Sequence, residues 1–503
     1  MVPLFSIRSS SGWGVGDIAD IPRFATWAKA AGFSVLQLLP VNEGSGADPS
    51  PYAPVSAFAL DPVYLSLADC TDFVAAGGIS TLSDAAAQKL QSMKESPFVD
   101  WPSVRAVKRE AIAIAFDRFM RDEWLTKSAA ARQLVAFINK NAAWLDDYAL
   151  FSVWHDHFGK SWLDWPAGAR DRDPGAIALA RDQHRDALLR AKWVQFQLDT
   201  QWRKARREAS AAGVELMGDL PFVVGMDSAD VWSNRSLFRT DRRVGTPPDD
   251  SSPSGQDWGL PVYDWTVVQR ENFAWIRARA MRAGSLFSLF RVDHAVGFYR
   301  TYFRSVDDGT AGFTPADESE QVALGESLMR LMSRWGEVIA EDLGAVPPFL
   351  RPSLQRLGVS GTRVLRWEKD GEHFRSPASW PAASVATNAT HDTETSADWY
   401  ERLSREERER LREVPGLEGI DPDRPWGDRE RDLLLQAVYA ARSILALVPF
   451  QDAMGTRDRI NVPGTVSATN WSYRMAKSVD DLLSDTTETE RLAHLAAAAG
   501  RAP

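Results

Sequence analysis

The sequence predicts an α/β protein built on a (β/α)8 TIM barrel, and three observations predict it. Short apolar runs of strand character recur along the chain, amphipathic helical stretches lie between several of them, and three of the runs end on a carboxylate. Alternation of strand and helix implies parallel pairing, and the number of units exceeds what an open sheet usually needs. A carboxylate that ends a buried parallel strand stands at a rim that a substrate can reach. Three such rims in succession describe one cleft.

The strand-like runs are Ser34–Leu39, Val214–Met217, Leu286–Val292, Val338–Ala340, Thr362–Trp367, Ser384–Ala389 and Ile444–Val448. They account for seven of the eight strands a barrel requires, and the eighth is expected between Asp61 and Ala211. Ile21–Ala31 reads as a helix with Phe24, Trp27 and Ala28 on one face, and Ala323–Arg334 as another. Within the interval that should hold the missing strand, Ser103–Trp124 and Ile177–Ala212 both have helical periodicity, separated by the aromatic loop Trp162–Pro166. Three segments follow. Residues 1–67 start the barrel, 68–212 form an inserted, mainly helical rim subdomain, and 213–503 complete the barrel. A long loop at 239–264, rich in Pro, Gly, Asp and Ser, belongs to the last segment; loops of that length in a compact domain are commonly functional. About fifty residues follow Asp452, too few for a separate C-terminal β-domain.

Composition narrows the function classes. The 503 residues are 44% hydrophobic and 25% charged, which are globular values. A net charge of −10 argues against nucleic acid as a partner. Cys70 is the only cysteine, so neither an intrachain disulfide nor a thiolate metal cluster is available. No signal peptide is evident, and no run approaches the ~18 apolar residues of a membrane span. A cytoplasmic protein without membrane partners is therefore expected. Of the twenty tryptophans, most are expected in the core, and the remainder offer flat platforms for the apolar faces of sugar rings.

The three acidic strand ends are Asp293 in Arg291-Val292-Asp293-His294, Glu341 in Ala340-Glu341-Asp342, and Asp392 in Thr390-His391-Asp392. Alone, an Asp-His or Glu-Asp pair is more often a cap or an ion pair; three in series at strand ends carry the argument. Cleavage of a glycosidic bond with retention needs a carboxylate nucleophile and a carboxylic acid about 5–5.5 Å away. Asp293 and Glu341 meet that requirement if they end neighbouring strands, which lie ~4.8 Å apart. Arg291 shares a strand face with Asp293 and is expected to lower its pKa by charge pairing. Glu341 must stay protonated near neutrality, which calls for partial burial and a nearby carboxylate. Other chemistries find little support. No His-x-x-x-His spacing provides a metal site, His155 and His157 read as surface residues, and neither a nucleophile elbow nor a Gly-rich phosphate loop occurs. No metal and no cofactor is expected.

With these residues in view, most of the chain resembles the amylomaltases, the 4-α-glucanotransferases of glycoside hydrolase family 77 in the α-amylase clan. The resemblance rests on Gly14-Val15-Gly16-Asp17, Leu38-Leu39-Pro40, and Ser50-Pro51-Tyr52 with Ser56-Ala57-Phe58-Ala59. It continues through Trp144–Phe151, Gly218-Asp219-Leu220-Pro221, Asp227–Trp232, Pro247-Pro248-Asp249, Gly255-Gln256 with Trp258-Gly259, and the three acidic motifs in order. Gln451-Asp452, Asn461, Pro463-Gly464-Thr465 and Asn470-Trp471 close it. It implies a barrel with inserted rim subdomains and without the clan's usual C-terminal β-domain. It also implies α-1,4-glucans and maltooligosaccharides as donor and acceptor. By the same carry-over Asp293 is the nucleophile, Glu341 the general acid/base, and Asp392 the carboxylate that grips sugar hydroxyls. Arg291, His294 and His391 contact the reacting glucose, Tyr52 stacks beneath it, and Asp219, Trp258 and Asn461 line the cleft.

The chain departs from the family pattern in four places. Asp250-Ser251-Ser252 stands where an aromatic pair is common, Leu260 where Asn is expected, and Ala295-Val296 and Thr393-Glu394 also differ. These lie toward the presumed acceptor side and bear on acceptor choice and product length. Two alternatives stay open on the sequence: an α-1,4-glucan hydrolase of the same clan, and a glycan-binding protein on a retired enzyme fold.

Overall fold

A computed structural model of the chain describes residues 1–46, 49–248 and 253–501. Its main sheet is wholly parallel and has seven strands: β1 (Val35–Gln37), β2 (Glu215–Leu220), β5 (Leu289–Val292), β8 (Glu337–Ala340), β9 (Ser360–Val364), β12 (Ser384–Thr387) and β13 (Leu445–Ala446). They neighbour one another in that order, and each falls on one of the seven apolar runs. Buried parallel strands read as continuous apolar stretches because both faces are covered. Met217, Leu289, Ile339, Val385 and Leu447 pack together as a plug on one face of this sheet.

The eighth strand expected between Asp61 and Ala211 is absent among the described residues. β1 pairs directly with β2, Val35 against Glu215 and Gln37 against Met217, which leaves no slot for it. The place between the sheet's edges is taken instead by the first two residues. Val2 N–H donates to the Gln37 carbonyl at 3.0 Å, the Met1 amino group to the Val448 carbonyl at 2.7 Å, and Phe450 N–H to the Met1 carbonyl at 2.9 Å.

Helices fill the interval, chiefly Asp84–Glu95, Trp101–Phe119, Ala129–Phe158, Pro174–Gln183 and Arg185–Ala211. Side chains of Ser83, Asp100, Ser128 and Asp173 cap their starts by accepting from otherwise unpaired amides. The single helix expected over Ile177–Ala212 is two, parted at His184, whose φ of −112° is not helical. His155 is half-buried rather than free on the surface, because its Nε2 meets Asp227 Oδ2 at 3.2 Å.

The stretch 239–264 is not one long loop. Phe238–Thr246 (β3) and Gln256–Tyr263 (β4) pair antiparallel and continue into β6 (Thr301–Ser305) and β7 (Ala311–Thr314), a second sheet of order β4-β3-β6-β7. Their Arg-, Gly- and Pro-rich sequences hide the strands. Two register shifts between β3 and β4 further disguise the alternation. The altered positions Asp250, Ser251 and Ser252 lie outside the described residues. A short hairpin of β10 (Lys369–Asp370) and β11 (His373–Phe374) completes the strands. No helix among the described residues is long and apolar enough to cross a membrane.

Candidate active site

The period of two along a strand builds the site on top of the plug. Two residues beyond Met217 comes Asp219, two beyond Ile339 comes Glu341, and beyond Leu289 come Arg291 and then Asp293. Apolar side chains thus fill the sheet's lower part and charged ones crown the carboxyl ends of the same strands. Asp392 follows β12 by five residues, in the loop that also carries His391.

Arg291 joins three of the acids. Its Nη1 donates to Asp219 Oδ2 at 2.5 Å, and its Nη2 to Asp293 Oδ1 at 3.0 Å while standing 3.5 Å from Glu341 Oε2. The contacting oxygens of Asp293 and Glu341 therefore cannot be farther apart than the sum of the last two contacts, about 6.5 Å. That bound meets only the lower edge of the ~6.5–9.5 Å used for inversion and contains the ~5–5.5 Å used for retention. Phe222 N–H reaches Asp293 Oδ2 at 3.4 Å. His294 N–H donates to Glu341 Oε2 at 2.6 Å, and it can do so because His294 is left-handed, at φ 47° and ψ 52°. Gly297 leaves room for that turn: a Cβ there would lie 2.6 Å from the His294 ring and 2.8 Å from Phe222.

Asp392 is held from the opposite side. Asn461 Nδ2 donates to its Oδ1 at 2.7 Å, His391 Nε2 lies 3.3 Å from its Oδ2, and Arg459 Nη2 donates to its carbonyl at 2.9 Å. The Tyr52 ring stacks on His391 at 5.1 Å and 13°, and its hydroxyl donates to Asp219 Oδ2 at 2.8 Å. Trp258 sits edge-on to His294 at 4.8 Å. All ten residues expected at the site are thereby linked by direct contacts, in two groups joined through Tyr52. Trp471, 5.7 Å from Tyr52 and 5.9 Å from His391, completes the aromatic wall, and Arg459 braces both Asp392 and the Asn461 carbonyl. Neither residue was assigned a role from sequence. Trp471 had a family motif to flag it, whereas nothing marks Arg459. Of the departures, Glu394 pairs with Arg402 at 2.8 Å, Thr393 closes a turn on Thr390, and Ala295 and Val296 are buried.

The electrostatics separate the three acids. Burial pushes Glu341 up to about 7, the charges of Asp293 and Asp392 add to the rise, and Arg291 with the His294 amide holds it in check. Burial also raises Asp293, so the net lowering expected from its pairing with Arg291 is not reached. The guanidinium and His391 do pull it down, but desolvation in this closed setting outweighs them. Asp392 goes the other way, to about 2: burial opposes ionisation, but the charge and hydrogen bond of His391, the Asn461 amide and Arg291 together overcome it. His294 is pushed down to about 4 by burial and Arg291 and is neutral at pH 7. Burial opposes the charge on His391, yet Asp392 raises it overall. Among the described residues no group of three or more His, Cys, Asp or Glu side chains is placed to hold a metal ion.

A parallel sheet crowned by three carboxyl groups on one guanidinium, with a fourth, Asp392, held ionised beside them, is equipped to break and remake glycosidic bonds by nucleophilic catalysis. The comparisons agree. The sequence pattern of the 4-alpha-glucanotransferases, glycoside hydrolase family 77, matches residues 2–480. The 4-alpha-glucanotransferase of Chlamydia caviae is 31% identical over 96% of this chain and 91% of its own. That of Thermus thermophilus is 32% identical over 92% of each. In fold, the Streptococcus agalactiae amylomaltase, solved with acarbose, superposes with a TM-score of 0.86 at 23% identity, covering 100% of this chain and 99% of that one. The chain belongs to the 4-alpha-glucanotransferase family, and its activity is that of a 4-α-glucanotransferase.

Proposed function

We propose that Asp293, Glu341 and Asp392 divide this transfer between them as nucleophile, general acid/base and transition-state anchor. Asp293 attacks the anomeric carbon of an α-1,4-glucan while Glu341 protonates the departing 4-oxygen. A second sugar's 4-OH, deprotonated by Glu341, then displaces Asp293, and two inversions give net retention. The observation that carries this reading is the single Arg291 nitrogen 3.0 Å from Asp293 and 3.5 Å from Glu341, with Glu341 at about 7. A carboxyl group poised there is half protonated at neutrality and able both to give and to take the proton. Asp392, ionised and acceptor-only, is suited to two hydroxyls of the reacting sugar, and His294 is suited to donate as a neutral ring. Arg291, His391, Tyr52, Asp219, Trp258 and Asn461 shape the same subsite.

The scaffold in this proposal is a (β/α)8 barrel closed through Met1 and Val2, with residues 68–212 as the helical insertion between 1–67 and 213–503. Donor and acceptor are maltooligosaccharides or longer α-1,4-glucans. A hydrolase and a non-catalytic binder are disfavoured by family membership and by the complete acid set. Asp293→Asn tests the assignment: glucose release from maltotriose should fall by roughly 10³-fold or more while glucan binding persists. Undiminished product formation would sink Asp293 as nucleophile.

Water competes with the acceptor for the glycosyl-enzyme, and a stacked aromatic over the site favours sugar by excluding water. Asp250 to Ser252 lack that pair. Maltotriose should accordingly yield some net increase in reducing ends besides longer oligomers. Asp250→Tyr with Ser251→Phe should reduce that increase; an unchanged ratio would refute the role of these residues.

A further inference from the structure

We infer that Asp342, which touches no part of the cleft, is the positioning residue that fixes the acid Glu341; this rests on the role proposed for Glu341. The β8–β9 ladder is short. Its only registered pairs are Ile339 with Ser360 and Ala340 with Gly361, so on the β9 side the ladder stops just before Glu341. The Asp342 carboxylate replaces them. Its Oδ1 accepts from Thr362 N–H at 2.6 Å, and its Oδ2 from Arg363 Nη1 at 2.8 Å and Arg351 Nε at 3.0 Å. Thr362 Oγ1 donates back to the Ala340 carbonyl at 3.1 Å. The carboxylate is fully buried, with 0% of its side chain exposed. Gly361 makes the fit possible, since a Cβ there would stand 2.7 Å from Oδ1.

On its other flank Glu341 is tied to β5. Its N–H donates to the Val292 carbonyl at 3.1 Å, its carbonyl accepts from Ala295 N–H at 3.2 Å, and its Oε2 accepts from His294 N–H. Glu341 is thus clamped between the strand bearing Asp293 and β9, and Asp342 is the β9 half of the clamp. The His294 amide occupies Oε2, which leaves Oε1 as the oxygen that carries the transferable proton. A displacement of the acid by about 1 Å costs on the order of 100-fold in rate. Asp342 therefore acts on the proton transfer and not on glucan binding.

The test compares two donors. With maltotriose, C1–O cleavage sends the electron pair to oxygen, which needs the proton of Glu341. With α-maltosyl fluoride, Asp293 forms its bond to C1, the C–F bond breaks, and fluoride leaves with the pair and needs no proton. Asp342→Asn should lower kcat on maltotriose about 100-fold with KM within about threefold, and leave the fluoride-release burst within about threefold. Arg351→Gln removes one donor on the solvent side and leaves Thr362 and Arg363 in place. It should show a smaller loss with the same split, and it decides the matter if the Asn variant does not fold. Glu341→Gln is the control. If it loses both donors equally, the acid assignment fails. If it shows the split but the Asp342 and Arg351 variants lose both donors equally, or neither, the positioning role is overturned.

Discussion

Raising the pH through neutrality should remove the proton that bond cleavage requires. Burial sets Glu341 near 7 instead of the ordinary 4.5, which converts to about 3 kcal/mol favouring its protonated form. Cleavage needs Glu341 protonated and Asp293 ionised, so kcat/KM for maltotriose should be bell-shaped. Well above pH 7 it should fall about tenfold per unit, about 50-fold in all between pH 7 and 9. The acid limb should lie above the usual aspartate range, because Asp293 is also raised. Stability carries the same sign. A carboxyl whose folded pKa exceeds its unfolded one contributes stability that is complete below about 4.5 and is lost as pH rises through about 7. That contribution is about 3 kcal/mol, opposed by other groups. The assay is initial glucose release from pH 4 to 9, with tryptophan fluorescence melting at each pH to separate titration from unfolding. A rate flat from pH 6 to 9 in folded protein would refute the reasoning, and so would an alkaline limb unchanged for α-maltosyl fluoride, whose departure needs no acid.

Three further outcomes are expected. Arg291→Met leaves Asp219, Asp293 and Glu341 without their shared cation, so it should cost about 3–5 kcal/mol of stability and move the acid limb of the rate profile upward; a melting temperature equal to that of the parent would contradict this. Asn461→Ala deletes the amide on Asp392 Oδ1, a charged hydrogen bond of about 1.5–3 kcal/mol. Asp392 should then titrate above 2, read from its carboxyl carbon by NMR, while the acid limb of kcat/KM, set by the higher Asp293, stays in place. Tyr52→Phe keeps the ring on His391 but removes the donor to Asp219. Turnover should drop by about tenfold with little change in melting, and undiminished turnover in Tyr52→Phe would mean the hydroxyl is idle.

The parallel strands were legible because each is an apolar run with few competing readings, and the acids were legible because they stand at the ends of those runs. The second sheet was not. Phe238–Thr246 carries three arginines and an aspartate, and such a strand is held by its partners more than by its own propensity. The hydrogen bonds of Met1 and Val2 to Gln37, Val448 and Phe450 were equally hidden, since two residues have no periodicity. At the site, Arg291 beside Asp293 follows from strand geometry, but the sign of the Asp293 shift depends on how deeply the pair is enclosed, which spacing does not encode. Arg459 and Asp342 act through side chains that reach across from other elements, and only packing reveals them.

The direct pairing of β1 with β2 brings Gln37 beside Met217, although 179 residues separate them in the chain. Both ends of the intervening helical block are thus moored on adjacent strands. For a flexible connection, each doubling of length adds only roughly 0.6 kcal/mol of closure cost, so the sheet places little restraint on how long that block is. The block is nevertheless no free cassette: it carries Tyr52 into the site and plants Trp202 Nε1 on the Leu286 carbonyl just ahead of β5, so any exchange must keep those two anchors.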